Sequence, residues 1–367
     1  MRILHVQKVK GIGGSERHLL SLLPAVASCG DDVAMLVLTP GPEVRVFLDA
    51  AAAANVETFQ FPVGRDLDPR PIRGIASTIR RWRPDIVHTH LVHADLWGQI
   101  AARRCSVPSV RTVHNVQAFS RREPVRSAVR ASGRLARRTI AISEHAAGFI
   151  REHSLAPSDR IEVIPYGVDV GCYPAERPRR RAMRSRLGAT DETVVFGMAA
   201  RMIEGKGHDV AIDAVRATAR EHPMMLAIAG DGPLRAKLER RASGDPVVRF
   251  LGHLDDVVPF LEACDALLFP TDPALGEGFG LAALEAMAEG LPVLASTAGA
   301  LPEVVGDGVT GRIVDGDVAA WTRAITELAE NETATKAMGR AGRERAEGFS
   351  IGRMVNDTRR VYREVVA

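Results

Sequence analysis

Two carboxylates with seven residues between them, Glu277 and Glu285, bracket the run Gly278-Phe279-Gly280-Leu281-Ala282-Ala283-Leu284. From Leu281 onward the residues are strong helix formers. Glu277 therefore falls on a loop, and Glu285 about one turn inside a helix. Glycines let a backbone approach a ligand closely, and the free N–H groups at a helix start suit a phosphate. Carboxylates accept hydrogen bonds and never donate, so a pair flanking that point suits hydroxyls on either side of a diphosphate, on a ribose and on a hexose. The plainer alternative is a loop glutamate beside a charge favoured by the helix dipole.

Other residues could serve the same chemistry. Arg201 and Lys206 follow an apolar run ending at Ala199, and Lys206 is one of only five lysines among 48 basic residues. As a diphosphate leaves it gains negative charge, which an arginine grips with a planar fork and a lysine as a point charge. Gly11-Ile12-Gly13-Gly14 follows the first apolar run. Glu16 stands where a dinucleotide fingerprint needs its third glycine, yet the amides of Gly13 and Gly14 can still face a diphosphate or an acceptor. His88, His90, His93 and His114 cluster with no cysteine nearby, a spacing that suits no closed zinc site. His90 and His93 are read as acceptor-side or structural. Asp66-Leu67-Asp68 lies in a Pro-rich loop, and Asp317 of Asp315-Gly316-Asp317 is a natural helix N-cap, so neither pair is assigned to a metal. Ser143 and Glu144 read as another helix cap. Arg122, Arg126, Arg130, Arg134 and Arg138 recur every fourth residue and predict a basic stripe on one helix. The stripe is either a solvated face or a peripheral contact with an anionic membrane.

The elements that must position these groups come in two series. Apolar runs at Ile3–Val6, Val33–Leu38, Asp85–His88, Ser109–Val113, Thr139–Ile142 and Ile161–Ile164 alternate with amphipathic stretches such as Ser15–Ser28. A second series follows at Val194–Ala199, Met225–Ala229, Val247–Leu251, Ala266–Phe269, Pro292–Ala295 and Gly311–Val314. This is the rhythm of parallel sheets with helices on both faces, and such sheets bind ligands at their carboxyl ends. The fold class is α/β, with two Rossmann-like domains facing a cleft. The expected boundaries are 1–170, a linker at 171–181 (two prolines and an arginine cluster), 182–350, and a helix within 351–367 that packs back on the first domain. With 367 residues, 46% hydrophobic and 25% charged, the chain reads as a globular enzyme. A net charge of +3 gives no case for nucleic acid. Four scattered cysteines suit a reducing cytoplasm. No signal-peptide core or membrane-length apolar run is expected.

Taken together the motifs resemble glycosyltransferase family 4, the retaining GT-B enzymes sometimes called group 1. Glu277 to Glu285 is similar to that family's E-x7-E signature. Val163-Ile164-Pro165-Tyr166-Gly167-Val168-Asp169 resembles its VIPNGVD segment, with Tyr166 in place of Asn. The runs 11–16, 200–207, 229–233 and 301–305 resemble its remaining motifs, most of all those of bacterial surface-polysaccharide transferases. The resemblance implies a hexose moved from a nucleotide diphosphate sugar, a UDP-sugar rather than GDP-mannose, to a glycan, lipid or small-molecule hydroxyl, without cofactor or metal. Arg201 and Lys206 would hold the diphosphate, Glu285 the ribose, Glu277 the sugar hydroxyls and His114 the sugar rim. His90, His93 and Asn115 would lie on the acceptor side. A sugar-nucleotide epimerase or hydrolase on the same scaffold, and a catalytically dead nucleotide-sugar-binding protein, are the alternatives.

Overall fold

Runs that are apolar on both faces are stable as strands only when helices cover both sides. The computed structural model, which describes residues 1–39, 41, 44–64, 70–114 and 123–367, places them so in two compact units. Unit 1 comprises Met1–Gly167 and Ile351–Ala367; unit 2 is Val168–Ser350. In unit 1, β1 (Arg2–Lys8), β2 (Asp32–Thr39), β3 (Glu57–Pro62), β4 (Ile86–His90), β5 (Ser109–Val113), β6 (Arg138–Ala141) and β7 (Ile161–Val163) form one parallel sheet. Its order is β3-β2-β1-β4-β5-β6-β7. In unit 2, β8 (Val194–Ala199), β9 (Met224–Ala229), β10 (Val248–Gly252), β11 (Ala266–Phe269), β12 (Val293–Ala295) and β13 (Gly311–Ile313) pair in parallel as β10-β9-β8-β11-β12-β13. The strand order reverses between β1 and β4 and again between β8 and β11. At such reversals the connecting helices leave on opposite faces and open a crevice at the carboxyl ends.

Each unit has its own core. Ile3, Leu19, Leu23, Met35, Phe47 and Ile86 are buried in unit 1, and Phe196, Ile212, Val215, Leu226, Trp321 and Ile325 in unit 2. Helix Ile351–Val366 belongs to unit 1, the placement its sequence pattern permits: Met354, Val355, Thr358, Val361, Tyr362 and Val365 are its buried residues and share one face. The Arg359 guanidinium bonds Asp31 at 2.7 Å.

Three expectations are corrected. Residues 171–181 are no linker; they are fastened into unit 2 by the arginines that made them look like one. Arg177 pairs with Glu289, Arg179 with Glu262 and Arg180 with Asp265, at 3.1, 2.7 and 2.6 Å, and the helix Arg180–Leu187 begins within the segment. Strand β3 had no counterpart in the sequence reading, because its exposure alternates and it ends in proline, as suits a sheet edge. The arginine stripe is broken. Its helix, Glu123–Leu135, carries Arg126, Arg130 and Arg134, while Arg138 starts β6, where strand pairing claims the backbone. Arg122 lies outside the described residues, as do Asn115 and the pair Asp66 and Asp68.

Candidate active site

In unit 2 the loops after β8 and β11 meet, because glycines remove the side chains that would keep them apart. Gly205 and Gly207 have φ of +82° and +75°. A Cβ on Gly207 would overlap the Pro270 carbonyl, and one on Gly205 would stand 3.0 Å from Leu275. The Asp272 amide donates to the Gly205 carbonyl at 2.7 Å. This approach delivers Lys206 to Glu277, and the ammonium donates to the carboxylate in a short ion pair. Both groups keep a little exposure, 16% and 19%. The Glu277 carbonyl accepts from the Ala300 amide at 2.9 Å, and Gly299, at φ +56°, has no room for a side chain against the Glu277 backbone.

Gly280 caps helix Leu281–Ala288 at φ +95°, so the helix begins four residues after Glu277 and carries Glu285 in its second turn. Phe279 turns inward, 3% exposed, with its ring edge-on to Phe349 at 5.8 Å. It supports the loop and offers a ligand only its backbone. Arg201 is exposed just beyond β8, and its side chain has no partner among the described residues. Gly230 and Gly232 pack against the carbonyls of Ala200 and Met202 and so seat that segment. Arg201, Lys206, Glu277 and the start of the Leu281–Ala288 helix thus share one carboxyl edge, where the strand order of unit 2 reverses. A surface hollow of about 520 Å³ bordered by Arg312, Glu327, Asn331 and Met338 contains none of them.

In unit 1 the same edge holds a different kind of site. The Gly13 amide of the glycine loop, expected open, is not open. Gly13 N–H donates to Glu16 at 3.0 Å, and Gln7 donates to the other Glu16 oxygen at 2.6 Å. A carboxylate already occupies the start of helix Gly14–Ala27, so a diphosphate at Gly13 and Gly14 would meet like charge. Leu91, which links β4 to helix Val92–Arg104, has φ +66°. A non-glycine residue in that region stores about 1–3 kcal/mol of strain, a frequent companion of functional sites.

His114 also differs from expectation. Both of its ring nitrogens are engaged, Nε2 with His90 Nδ1 at 2.9 Å and Nδ1 with the Tyr166 hydroxyl at 2.6 Å. A sugar hydroxyl can reach a ring nitrogen only by displacing one of them. His90 is fully buried, and its Nε2 meets His5 Nδ1 at 3.0 Å. His93 is half-buried against Trp97. Burial pushes the imidazole pKa down, to about 3 at His5 and His18 and well below the usual value at His88, His90 and His114, so all five are neutral near pH 7. Sequence reasoning missed His5, His18, Tyr362 and Gln7. Only the alternation of His5 and Gln7 in a strand beside the histidine-rich β4 hinted at them. The remaining predicted caps are in place: Ser143 accepts from Ala146 N–H, and Asp317 from Ala319 and Ala320.

Two family models match the chain: Glycosyltransferase Family 4 over residues 12–171, and glycosyl transferases group 1 over residues 193–331. A D-inositol 3-phosphate glycosyltransferase of Streptomyces avermitilis is 30% identical, covering 87% of this chain and 78% of that protein. A GDP-mannose-dependent alpha-(1-6)-phosphatidylinositol monomannoside mannosyltransferase of Mycolicibacterium smegmatis is 36% identical over 52% of each chain. Among solved structures, Anabaena HepE in complex with UDP and glucose superposes with a TM-score of 0.87 at 21% identity, over 99% of this chain and all of that one.

Proposed function

The chain belongs to the group 1 glycosyltransferases of family 4, and from that premise we propose that it transfers a hexose from a UDP-sugar to a hydroxyl acceptor, with retention at the anomeric carbon and without a metal. The observation that carries this reading is the Lys206–Glu277 ion pair at the carboxyl edge of unit 2, with Arg201 and a helix start beside it. In the absence of donor, Glu277 holds Lys206. When a nucleotide sugar binds, the diphosphate takes the ammonium and frees Glu277 to accept from sugar hydroxyls, while Glu285 receives the ribose. Arg201 and Lys206 then neutralise the leaving diphosphate as its charge grows, the step at which stabilisation accelerates reaction. A carboxylate occupied in accepting from sugar hydroxyls is a poor nucleophile toward the anomeric carbon. Retention therefore follows from attack on the face the phosphate leaves, with the departing oxygen taking the acceptor proton. The GDP-mannose relatives match about half of the chain, whereas the inositol-phosphate relatives match most of it. Those same relatives make a phosphorylated polyol the first acceptor to test.

The test is a transfer assay with UDP-glucose and GDP-mannose, each with and without D-inositol 3-phosphate, in EDTA, in Mg2+ and in Mn2+. Product anomers are read by NMR. Transfer from UDP-glucose with an α product in EDTA is expected. Turnover of the sugar nucleotide with no acceptor present would favour the epimerase or hydrolase reading, and an absolute Mn2+ requirement would overturn metal independence.

A further inference from the structure

Seven buried side chains of unit 1 make one continuous hydrogen-bonded chain. From the Tyr166 hydroxyl it runs to His114 Nδ1 at 2.6 Å, from His114 Nε2 to His90 Nδ1 at 2.9 Å, and from His90 Nε2 to His5 Nδ1 at 3.0 Å. It continues from His5 Nε2 to the Tyr362 hydroxyl at 3.4 Å, from that hydroxyl to His88 Nδ1 at 2.6 Å, and from His88 Nε2 to Thr112 Oγ1 at 2.7 Å. All seven residues are at most 8% exposed. Strand pairing sets the spacing: His5 lies beside His88, and His90 beside Thr112, on adjacent parallel strands. The rings of His5 and His90 stack at 5.2 Å and 8°.

A neutral imidazole donates from one nitrogen and accepts at the other. With the Tyr362 hydroxyl donating to one imidazole and accepting from the other, every proton along such a chain points the same way, in one of two arrangements. In one, Tyr166 donates and all four histidines carry the proton on Nε2, ending at Thr112. In the other, Thr112 donates and all four carry it on Nδ1. The lengths choose between them. Both 2.6 Å contacts are those in which a phenol, the stronger acid, would donate to an imidazole, and the long 3.4 Å contact is the one that asks an imidazole to donate to a phenol oxygen. The first arrangement satisfies all three.

We propose that Tyr362, His88, His5, His90 and Tyr166 are positioning residues for His114: a single one-way hydrogen-bonded chain holds its proton on Nε2 and ties that choice to the C-terminal helix. The consequence at the site is a polarity. Nδ1 of His114 is then an acceptor, so a substrate hydroxyl taking the place of Tyr166 must donate to it. A protonated imidazole would donate at both nitrogens and cut the chain, and deep burial keeps all four neutral. The same trio His5, His88 and His90 brings ligand nitrogens close enough to suggest a metal. Their nitrogens already bond one another, Tyr362 and Thr112, and the 3.0 Å pair is tighter than two ligands about 2.0–2.1 Å from a tetrahedral zinc would be.

The inference rests on the placing of His114 at the sugar, and the test separates the two. Histidine-15N-labelled full-length protein is compared with Tyr362→Phe by NMR of the imidazole nitrogens. Wild type is expected to show Nε2–H on His5, His88, His90 and His114. In Tyr362→Phe the His5 Nε2–H loses its acceptor. Its proton moves to Nδ1 and the change runs through His90, so His114 is expected to switch to Nδ1–H although the substitution touches neither it nor Tyr166. Thr112→Val, which removes the other end, is expected to give the same reversal and serves if Tyr362→Phe does not fold. Mixed tautomers in wild type, or a His114 signal unmoved by both variants, overturns the chain whatever the activity. A reversed His114 with unchanged KM and kcat for UDP-glucose supports the chain and removes His114 from the sugar. Zinc added to wild type is expected to leave all four signals in place, and its capture by His5, His88 and His90 overturns the proposal.

Discussion

The two units repeat one topology and differ in the polar groups they bury most densely. Beside isolated charged groups such as Arg111 and Asp95, unit 1 buries a cluster of neutral ones: five histidines, two tyrosines and a threonine. Unit 2 buries charge in pairs. The Glu262 and Glu289 side chains have no exposure, and Arg179 and Arg177 reach them; Arg184, 4% exposed, is answered by Asp265. A neutral network avoids the desolvation cost that makes buried ions expensive. Its weakness is protons, because every imidazole kept neutral in the fold will bind one when unfolded. The same framework can thus be given different sensitivities by the residues at one sheet edge.

The largest expected effect is the response to acid. Below the unfolded histidine pKa of 6.5, the unfolded chain binds protons that His5, His18, His88, His90 and His114 refuse in the fold. Stability therefore falls as pH falls. Asp95, raised to about 6 by burial, offsets about one of these protons. Unit 1 should lose on the order of 5 kcal/mol per pH unit between about pH 6 and 5. In unit 2 the one strongly shifted histidine, His208, lowered to about 4, is balanced by Glu289, raised to about 7 by burial, which binds a proton in the fold first. Its stability should be nearly flat over that range. Hydrogen exchange at pH 7 and pH 5, resolved by peptide, should show β1, β4 and β5 deprotected and β8, β9 and β11 unchanged. Equal loss in both units would end the contrast.

Next is the strap. Glu262→Ala leaves Arg179 unpaired and the 171–181 segment short of one of its three ion pairs, and should destabilise unit 2 by about 2–4 kcal/mol. Denaturation followed by Trp321 fluorescence, with Trp82 and Trp97 replaced, measures it, and an undisturbed midpoint would show the pair to be idle.

The ion pair at the site gives a subtler comparison. Lys206→Ala should weaken UDP binding roughly 10- to 100-fold, by removing about 1.5–3 kcal/mol of charge-assisted bonding. Glu277→Ala releases Lys206, so UDP binding should hold or improve while turnover drops. Calorimetry with UDP alone decides, and equal losses from both substitutions would take Glu277 away from the sugar. Smallest of all is EDTA, for which no change in transfer rate is expected in a standard initial-rate assay.

Much of this was legible in the sequence, for reasons particular to each element. β8 and β11 are apolar on both faces and bounded by turn residues, and their limits, like those of β5, were read without error. The Glu277 loop was legible because glycines mark where a backbone must turn or approach closely. The histidine chain was not, since its members come from β1, β4, the residue after β5, the segment after β7 and the last helix. Nothing in local pattern joins His5 to Tyr362, 357 positions apart. The arginines of 171–181 misled because composition alone cannot say whether a charge meets water or a buried carboxylate.

Unit 2 is inserted into unit 1, and its two ends are stitched together: the Val168 amide donates to the Phe349 carbonyl at 2.8 Å, and Val168 bridges Ser350. During synthesis this sets an order of completion. Unit 2 has every residue it needs once Ser350 has been added. Unit 1, begun first, still lacks Val355, Val361, Tyr362 and Val365 of its core until the helix Ile351–Val366 arrives. A free chain cut off after Ser350 would hold a complete second unit and an incomplete first one, with an apolar groove open along helix Gly14–Ala27, which the last helix packs against.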